Sequence, residues 1–148
     1  MNILLVYPAK IDINGNPIKY RKAFIPPLNI AVLRSLTPDK HDVTIINDVV
    51  EEINFDIEYD LVGITAMTLQ APRAYQIADA FRSRGIKVII GGLHAAVLPE
   101  EVTLHADSIV IGEVEDIWED ILTDFENKRN KAIYKTDTYP DLKKLVIP

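Results

Sequence analysis

Short apolar runs of strand length, separated by stretches of helical spacing, constrain this chain more than any other feature. Ile3 to Tyr7, Val43 to Ile46, Leu61 to Ala66, Lys87 to Ile90 and Ser108 to Ile111 are such runs. A short run that is apolar almost throughout is expected of a strand covered on both faces, as in a parallel sheet. Between the runs, Leu28, Ala31, Val32 and Leu36 share one helical face. Ala74, Ile77, Ala78 and Phe81 recur at i, i+3, i+4 and i+7, and Ile117, Trp118, Ile121, Leu122 and Phe125 form a third stripe. Punctuation agrees. Pro26-Pro27 suits the start of the first helix, Pro72 and Gly85 bracket the second, and Pro99-Glu100-Glu101 opens a further one. Val49 to Ile57 is ambiguous, with a short helix as one reading, and Ala132 to Tyr134 suggests a short sixth strand.

Alternating strands and helices predict an α/β fold: a doubly wound, five-stranded parallel sheet, flavodoxin-like (Rossmann-like), in the order 2-1-3-4-5 with right-handed crossovers. Residues 1–135 form the predicted domain, and 136–148, without clear periodicity, read as a linker. The loop from Pro8 to Pro27 is long enough to suggest function, either as a lid (Lys10 to Ile25) or as a disordered connection. With 148 residues the chain needs no staple of metal or disulfide, and it contains no cysteine. Disulfides, thiolate metal sites and any cysteine-held iron–sulfur cluster are thereby excluded from this chain, which fits a reducing, cytoplasmic setting. A formal net charge of −6, with only Lys19, Arg21 and Lys22 as a basic run, argues against nucleic-acid binding. No apolar run approaches the ~20 residues that span a bilayer, and the start reads as a buried strand rather than a signal peptide.

In open parallel sheets ligands bind beyond the carboxyl ends of the strands. That rule selects the loops after Tyr7, Thr65, Gly92 and Ile111. Familiar chemistry is missing there: Tyr7-Pro8-Ala9 and Thr65-Ala66 stand where a phosphate-receiving regulator needs carboxylates. No GxGxxG, GxxxxGK[ST] or GxSxG occurs either. No residue stands out as catalytic or as a metal ligand. What remains is a set of small residues: Gly63, Thr65, Ala66 and Thr68, then Gly91-Gly92, then Gly112-Glu113. Glycine at a strand end either makes a tight turn or lets a flat ligand lie against the backbone. Three neighbouring strand ends of this kind suggest a ligand platform.

The segment Gly91-Gly92-Leu93-His94-Ala95-Ala96-Val97-Leu98-Pro99-Glu100-Glu101 resembles the "GGxHxxxxPEE" stretch of cobalamin-binding domains that precede radical S-adenosylmethionine barrels. Ala106 to Glu115 resembles their "aDxvvxGEgE" stretch, and Asp60 to Thr65 their "DlVGis" strand. Ile3 to Pro8 with Pro26-Pro27-Leu28 resembles their opening, and Tyr139-Pro140-Asp141-Leu142 the connector to the barrel. The resemblance runs in order along nearly the whole chain. Relatives include radical methyltransferases and the magnesium-protoporphyrin ester cyclase. It implies a cobalamin held between this domain and a C-terminal barrel; S-adenosylmethionine and a [4Fe-4S] cluster would belong to that barrel, outside this chain. It also implies a corrin over the loops after Tyr7-Pro8, Thr65-Ala66 and Gly92. Thr65 and Thr68 would then face the nucleotide tail or its phosphate, which Gly91-Gly92 would admit. An apolar patch where the barrel docks would favour homodimers of the isolated domain.

Three departures bear on this. The cluster motif CxxxCxxC is absent. The cobalt-ligating DxHxxG of classical cobalamin domains is missing after the first strand; Asp39-Lys40-His41 offers DxH, but Thr44 replaces the glycine and the segment precedes the second strand. Val114 stands where the family's second GEGE glycine is usual. His94 is left with three readings: corrin contact, hydrogen bonding to a cofactor amide, or capping of the helix that Pro99 begins. His41 and His105 read as surface or turn residues. Glu113 and Glu115 read either as ligand-orienting or as carboxylates favoured at a helix N-terminus. The reading is a cobalamin-binding domain without a histidine cobalt ligand and without catalysis of its own. The alternatives are a cobalamin-free packing module of the same fold, or the nucleotide-binding half of a glycosyltransferase.

Overall fold

A computed structural model describes residues 1–22 and 27–141. Six strands form one all-parallel sheet: β1 (Asn2–Tyr7), β2 (Asp42–Asn47), β3 (Leu61–Thr65), β4 (Lys87–Gly91), β5 (Ser108–Ile111) and β6 (Ile133–Lys135). Their order is β2-β1-β3-β4-β5-β6. The five expected strands fall in the expected order, and the suggested sixth adds itself beyond β5, so the sheet has six strands rather than five.

The side-chain period of two splits the strands between two cores. Leu4, Val6, Val62, Ile64, Val88 and Ile90 face one side, where α2 (Ala71–Ser83), α3 (Leu93–Val97) and α4 (Pro99–Val102) cover them. Ile3, Leu5, Leu61, Ile89 and Val110 face the other, beneath α1 (Leu28–Leu36) and α5 (Trp118–Glu126). This two-sided burial is why the strands read as continuous apolar runs. Helix α2 ends as its glycine requires. Gly85 has φ +81°, its N–H donates to the Arg82 carbonyl, and the Ile86 N–H reaches back to the Phe81 carbonyl. These are the two bonds of a Schellman motif.

Two segments differ from the simplest expectation. Residues 49–57 form turns rather than a helix, because the Asn47 side chain accepts from the Val49 N–H and its carbonyl accepts from Val50 and Glu51. Asn competes with helix in this way. The described part of the long loop, 8–22, is pinned rather than disordered. An Ile11–Pro17 bridge closes it, Asp12 Oδ1 accepts from the Asn14 and Asn16 N–H groups, and the Gln76 amide donates to the Gly15 carbonyl. Pro26, in the proposed helix start, Ile25 and residues 142–148 of the proposed linker lie outside the described residues. No helix among the described residues is long and apolar enough to cross a membrane.

Candidate functional site

The carboxyl ends of the strands lie along one edge of the sheet, and the order reverses between β1 and β3, which is where such folds place ligands. A cleft of about 390 Å³ opens at this edge, on the α1/α5 face, within the ~300–1,000 Å³ range of small-molecule sites. Its cause is a matter of phase. Gly63, Thr65, Ile89, Gly91 and Val110 alternate onto the same face of the sheet, with Gly63 opposite Ile89 and Thr65 opposite Gly91. Two of these five positions carry no side chain; Leu5 Cδ2 takes the room at Gly63, 2.9 Å from where a Cβ would lie, while Gly91 leaves α1 and α5 resting over a trough. Val32 and Leu33 of α1 and Trp118 of α5 form apolar walls. Trp118 is held in place by its indole N–H, which donates to Thr37 Oγ1 at 2.9 Å. At the mouth, Asn29 Nδ2 donates to Thr65 Oγ1 at 2.9 Å, tying α1 to the end of β3.

Of the residues singled out from sequence, Thr65, Gly91, Gly92, Gly112 and Glu113 line this cleft; Tyr7, Pro8, Ala66, Thr68 and His94 do not. Tyr7 packs partly buried on the α1/α5 core. Pro8 is buried, its carbonyl accepting from Gln70 Nε2. Ala66 is buried and serves as a backbone station, donating to the Gly91 carbonyl and accepting from the His94 N–H. Thr68 is exposed and begins a 3-10 turn, Thr68–Gln70.

The glycines divide by purpose. A Cβ on Gly92 (φ +93°) would lie 2.9 Å from the Ala66 backbone N and O and from Thr65 Oγ1. One on Gly112 (φ +94°) would collide with Thr136, whose backbone crosses the end of β5. These two serve chain packing. Gly91 is different: a Cβ there would meet only Val110 Cβ, at 3.6 Å, so its missing side chain leaves open space in the cleft.

His94 points away from the cleft. It is 2% exposed, on the α2/α3 side, and its Nε2 lies 2.7 Å from the Tyr75 hydroxyl. That hydroxyl donates to Glu101 Oε1 at 2.9 Å. Burial, then the bond to Glu101 and its charge, hold the Tyr75 phenol well above its usual pKa. His105 lies in a turn and is partly exposed, as expected, and it also stacks on Tyr75 with ring centroids 4.0 Å apart and its Nδ1 2.9 Å from Asp79. His41, expected at the surface or in a turn, lies in the bend before β2 but is buried, beside the Met1 amino group.

Sequence reasoning passed over Asp48, which is fully buried just beyond β2. Lys19 Nζ lies 2.7 Å from Oδ1, Arg73 binds both carboxylate oxygens (2.9 and 3.1 Å), and the Ala9 N–H donates to Oδ2. Burial would raise its pKa, but Arg73, Lys19 and the Ala9 N–H outweigh it and hold the carboxyl below the usual value. Asp48 thus clamps the loop after β1 to α2. Its only sequence signal was an acid two residues beyond the predicted strand Val43 to Ile46.

Around the cleft, among the described residues, stand two carboxylates, Glu113 and Glu115, and no lysine or arginine. An arrangement of glycine floor, indole and aliphatic walls and polar mouth suits a flat, weakly charged group better than a diphosphate, which calls for cationic partners. Comparison with known proteins agrees. The model of the B12 binding domain matches residues 19–122, more than half of the chain. The chain belongs to the B12-binding domain family.

Among curated relatives, the bacteriochlorophyllide d C-8(2)-methyltransferase of Chlorobaculum tepidum is 45% identical over 115 residues, covering 77% of this chain and 26% of its own. The C-12(1)-methyltransferase of the same organism is 34% identical over 124 residues, covering 82% and 27%. An uncharacterized methyltransferase of Pyrococcus horikoshii is 31% identical over 110 residues, covering 66% and 24%. The chain therefore spans about a quarter of the length of the curated relatives it matches.

Proposed function

We propose that this chain is the cobalamin-holding domain of a radical S-adenosylmethionine enzyme of the methyltransferase class, without a histidine ligand to cobalt. The observation that carries the reading is the cleft over the carboxyl ends of β3, β4 and β5, floored by Gly63 and Gly91 and walled by Val32, Leu33 and Trp118. Its volume suits the nucleotide end of cobalamin and not the corrin, which would lie outside, over the strand ends near Thr65 and Gly92. Both groups fit the residues present: the apolar trough takes a flat heterocycle, and Thr65, Asn29 and the backbone at Gly92 offer polar contacts at the mouth. When bound, cobalamin supplies a cobalt centre able to carry an alkyl group. The residues of this chain bind and orient it and exclude water from its nucleotide end.

The commitment of His94 to Tyr75, on the opposite side of the sheet from the cleft, supports binding without histidine ligation. The absence of Lys and Arg from the cleft lining among the described residues disfavours the sugar-nucleotide alternative. The methyltransferase class is supported by the relatives' names, and a further domain by their greater length; the barrel with its S-adenosylmethionine and [4Fe-4S] cluster rests on the resemblance of the sequence motifs alone. The test is titration of the chain with hydroxocobalamin, followed by visible absorbance and equilibrium dialysis. Retention with a spectrum lacking protein-nitrogen ligation is expected. Failure to bind, both in this chain and in a chain carrying the remaining three quarters, would overturn the reading.

A further inference from the structure

We propose that the Glu115 carboxylate is a ligand-binding group, accepting a hydrogen bond from a sugar hydroxyl of the molecule seated in the cleft. This inference rests on the cobalamin reading above. Glu115 lies in the turn between β5 and α5 and lines the cleft beside Val114 and Trp118. Its Oε2 is shielded from solvent and has no hydrogen-bond partner. An ionised carboxylate oxygen is a strong acceptor and nothing else. Buried polar atoms are nearly always satisfied, so an orphan among ligand-lining residues asks what is meant to fill it. Among the described residues, no lysine or arginine lines the cleft to neutralise it from within. Glu113, by contrast, is exposed and contributes its backbone carbonyl to Thr136 Oγ1. Among the described residues, only Glu115 combines a shielded, unpartnered acceptor oxygen with a place on the cleft wall.

The missing partner must be a donor. Cobalamin carries N–H donors in the amides around the corrin, and a hydroxyl donor on the ribose of its nucleotide end. Its benzimidazole ring carries none. Since the cleft takes the smaller end, the ribose hydroxyl is the donor that the geometry points to.

The test compares equilibrium binding of cobalamin and of cobinamide, which lacks the nucleotide, to the wild-type chain and to Glu115→Ala and Glu115→Gln. Glu115→Ala should weaken cobalamin about tenfold and leave cobinamide unchanged, a loss of about 1.4 kcal/mol. Glu115→Gln, which keeps one acceptor oxygen, should fall between. The melting temperature of unliganded Glu115→Ala should be no lower than that of the wild type, since the variant removes an unsatisfied buried atom. Equal cobalamin affinity in wild type and Glu115→Ala, equal losses for both ligands, or a lowered melting temperature would each overturn the assignment. A wild-type chain that binds neither corrinoid would instead strike at the cobalamin reading itself, before any substitution is made.

Discussion

The phenol of Tyr75 and the ring of His94 meet at 2.7 Å, and the same phenol donates its single proton to Glu101. An ionised Glu101 can only accept, so the His94 Nε2 must carry the proton it shares with Tyr75. Removing the phenol in Tyr75→Phe strands that N–H in a buried setting where Nδ1 already lacks a partner. The expected loss is about 1–3 kcal/mol, read from urea unfolding. Cobalamin affinity should move less than twofold, because the cluster lies across the sheet from the cleft. A variant as stable as the wild type would show that the contact contributes nothing.

Gly91 and Gly92 are neighbours with opposite tolerances. Gly92→Ala forces a Cβ into the Ala66 backbone at a φ and ψ (+93°, −177°) that are nearly reserved for glycine, a strain of about 1–3 kcal/mol before the clash is counted. Circular dichroism melts should show a clear loss of stability. Gly91→Leu faces no such strain and fills the cleft. That variant should keep its melting temperature within a few degrees and lose at least about tenfold in cobalamin affinity. The reverse pattern would mean that Gly92, not Gly91, faces the ligand.

Most of the sheet was legible because both faces are covered, so each strand announces itself as an apolar run. The cleft was partly legible too. Gly63, Thr65, Ile89 and Gly91 share a face by simple alternation, and that phase could be counted from the sequence. His94 misled because it follows a strand-end glycine pair. What the sequence did not show is that α3 begins at Leu93 and turns His94 inward, towards a tyrosine nineteen residues earlier. Asp48 was invisible for a related reason: its partners Lys19 and Arg73 come from 29 and 25 residues away, and no local pattern joins them. Strand β6 was faint because only Tyr134 of its three residues is buried.

Asp48 makes a sharper prediction than its quiet position suggests. Asp48→Ala leaves two cations, Lys19 and Arg73, facing a buried hole, and also frees the Ala9 N–H. Breaking a buried pair from one side costs about 3–5 kcal/mol, so the domain should unfold at markedly lower urea. The loop between Pro8 and Lys22 should become susceptible to limited proteolysis under native conditions. Unchanged urea midpoint and unchanged cleavage would show that the clamp holds nothing.

His41 should make the domain acid-sensitive. The residue is 4% exposed and its ring is fully buried. Burial, then the charges of the Met1 amino group and Lys40, lower its pKa from 6.5, with Glu126 opposing. The unfolded chain takes up the proton near pH 6.5, whereas the folded chain resists it. Stability from this residue is therefore complete above that pH and declines as the pH falls through it towards the lower folded value. The slope of unfolding free energy is at most about 1.4 kcal/mol per pH unit for one proton. Urea unfolding between pH 8 and pH 5 should show this decline, and His41→Gln, which does not titrate, should flatten it even if its stability at pH 8 is lower. Parallel curves for the two proteins would place the acid sensitivity elsewhere.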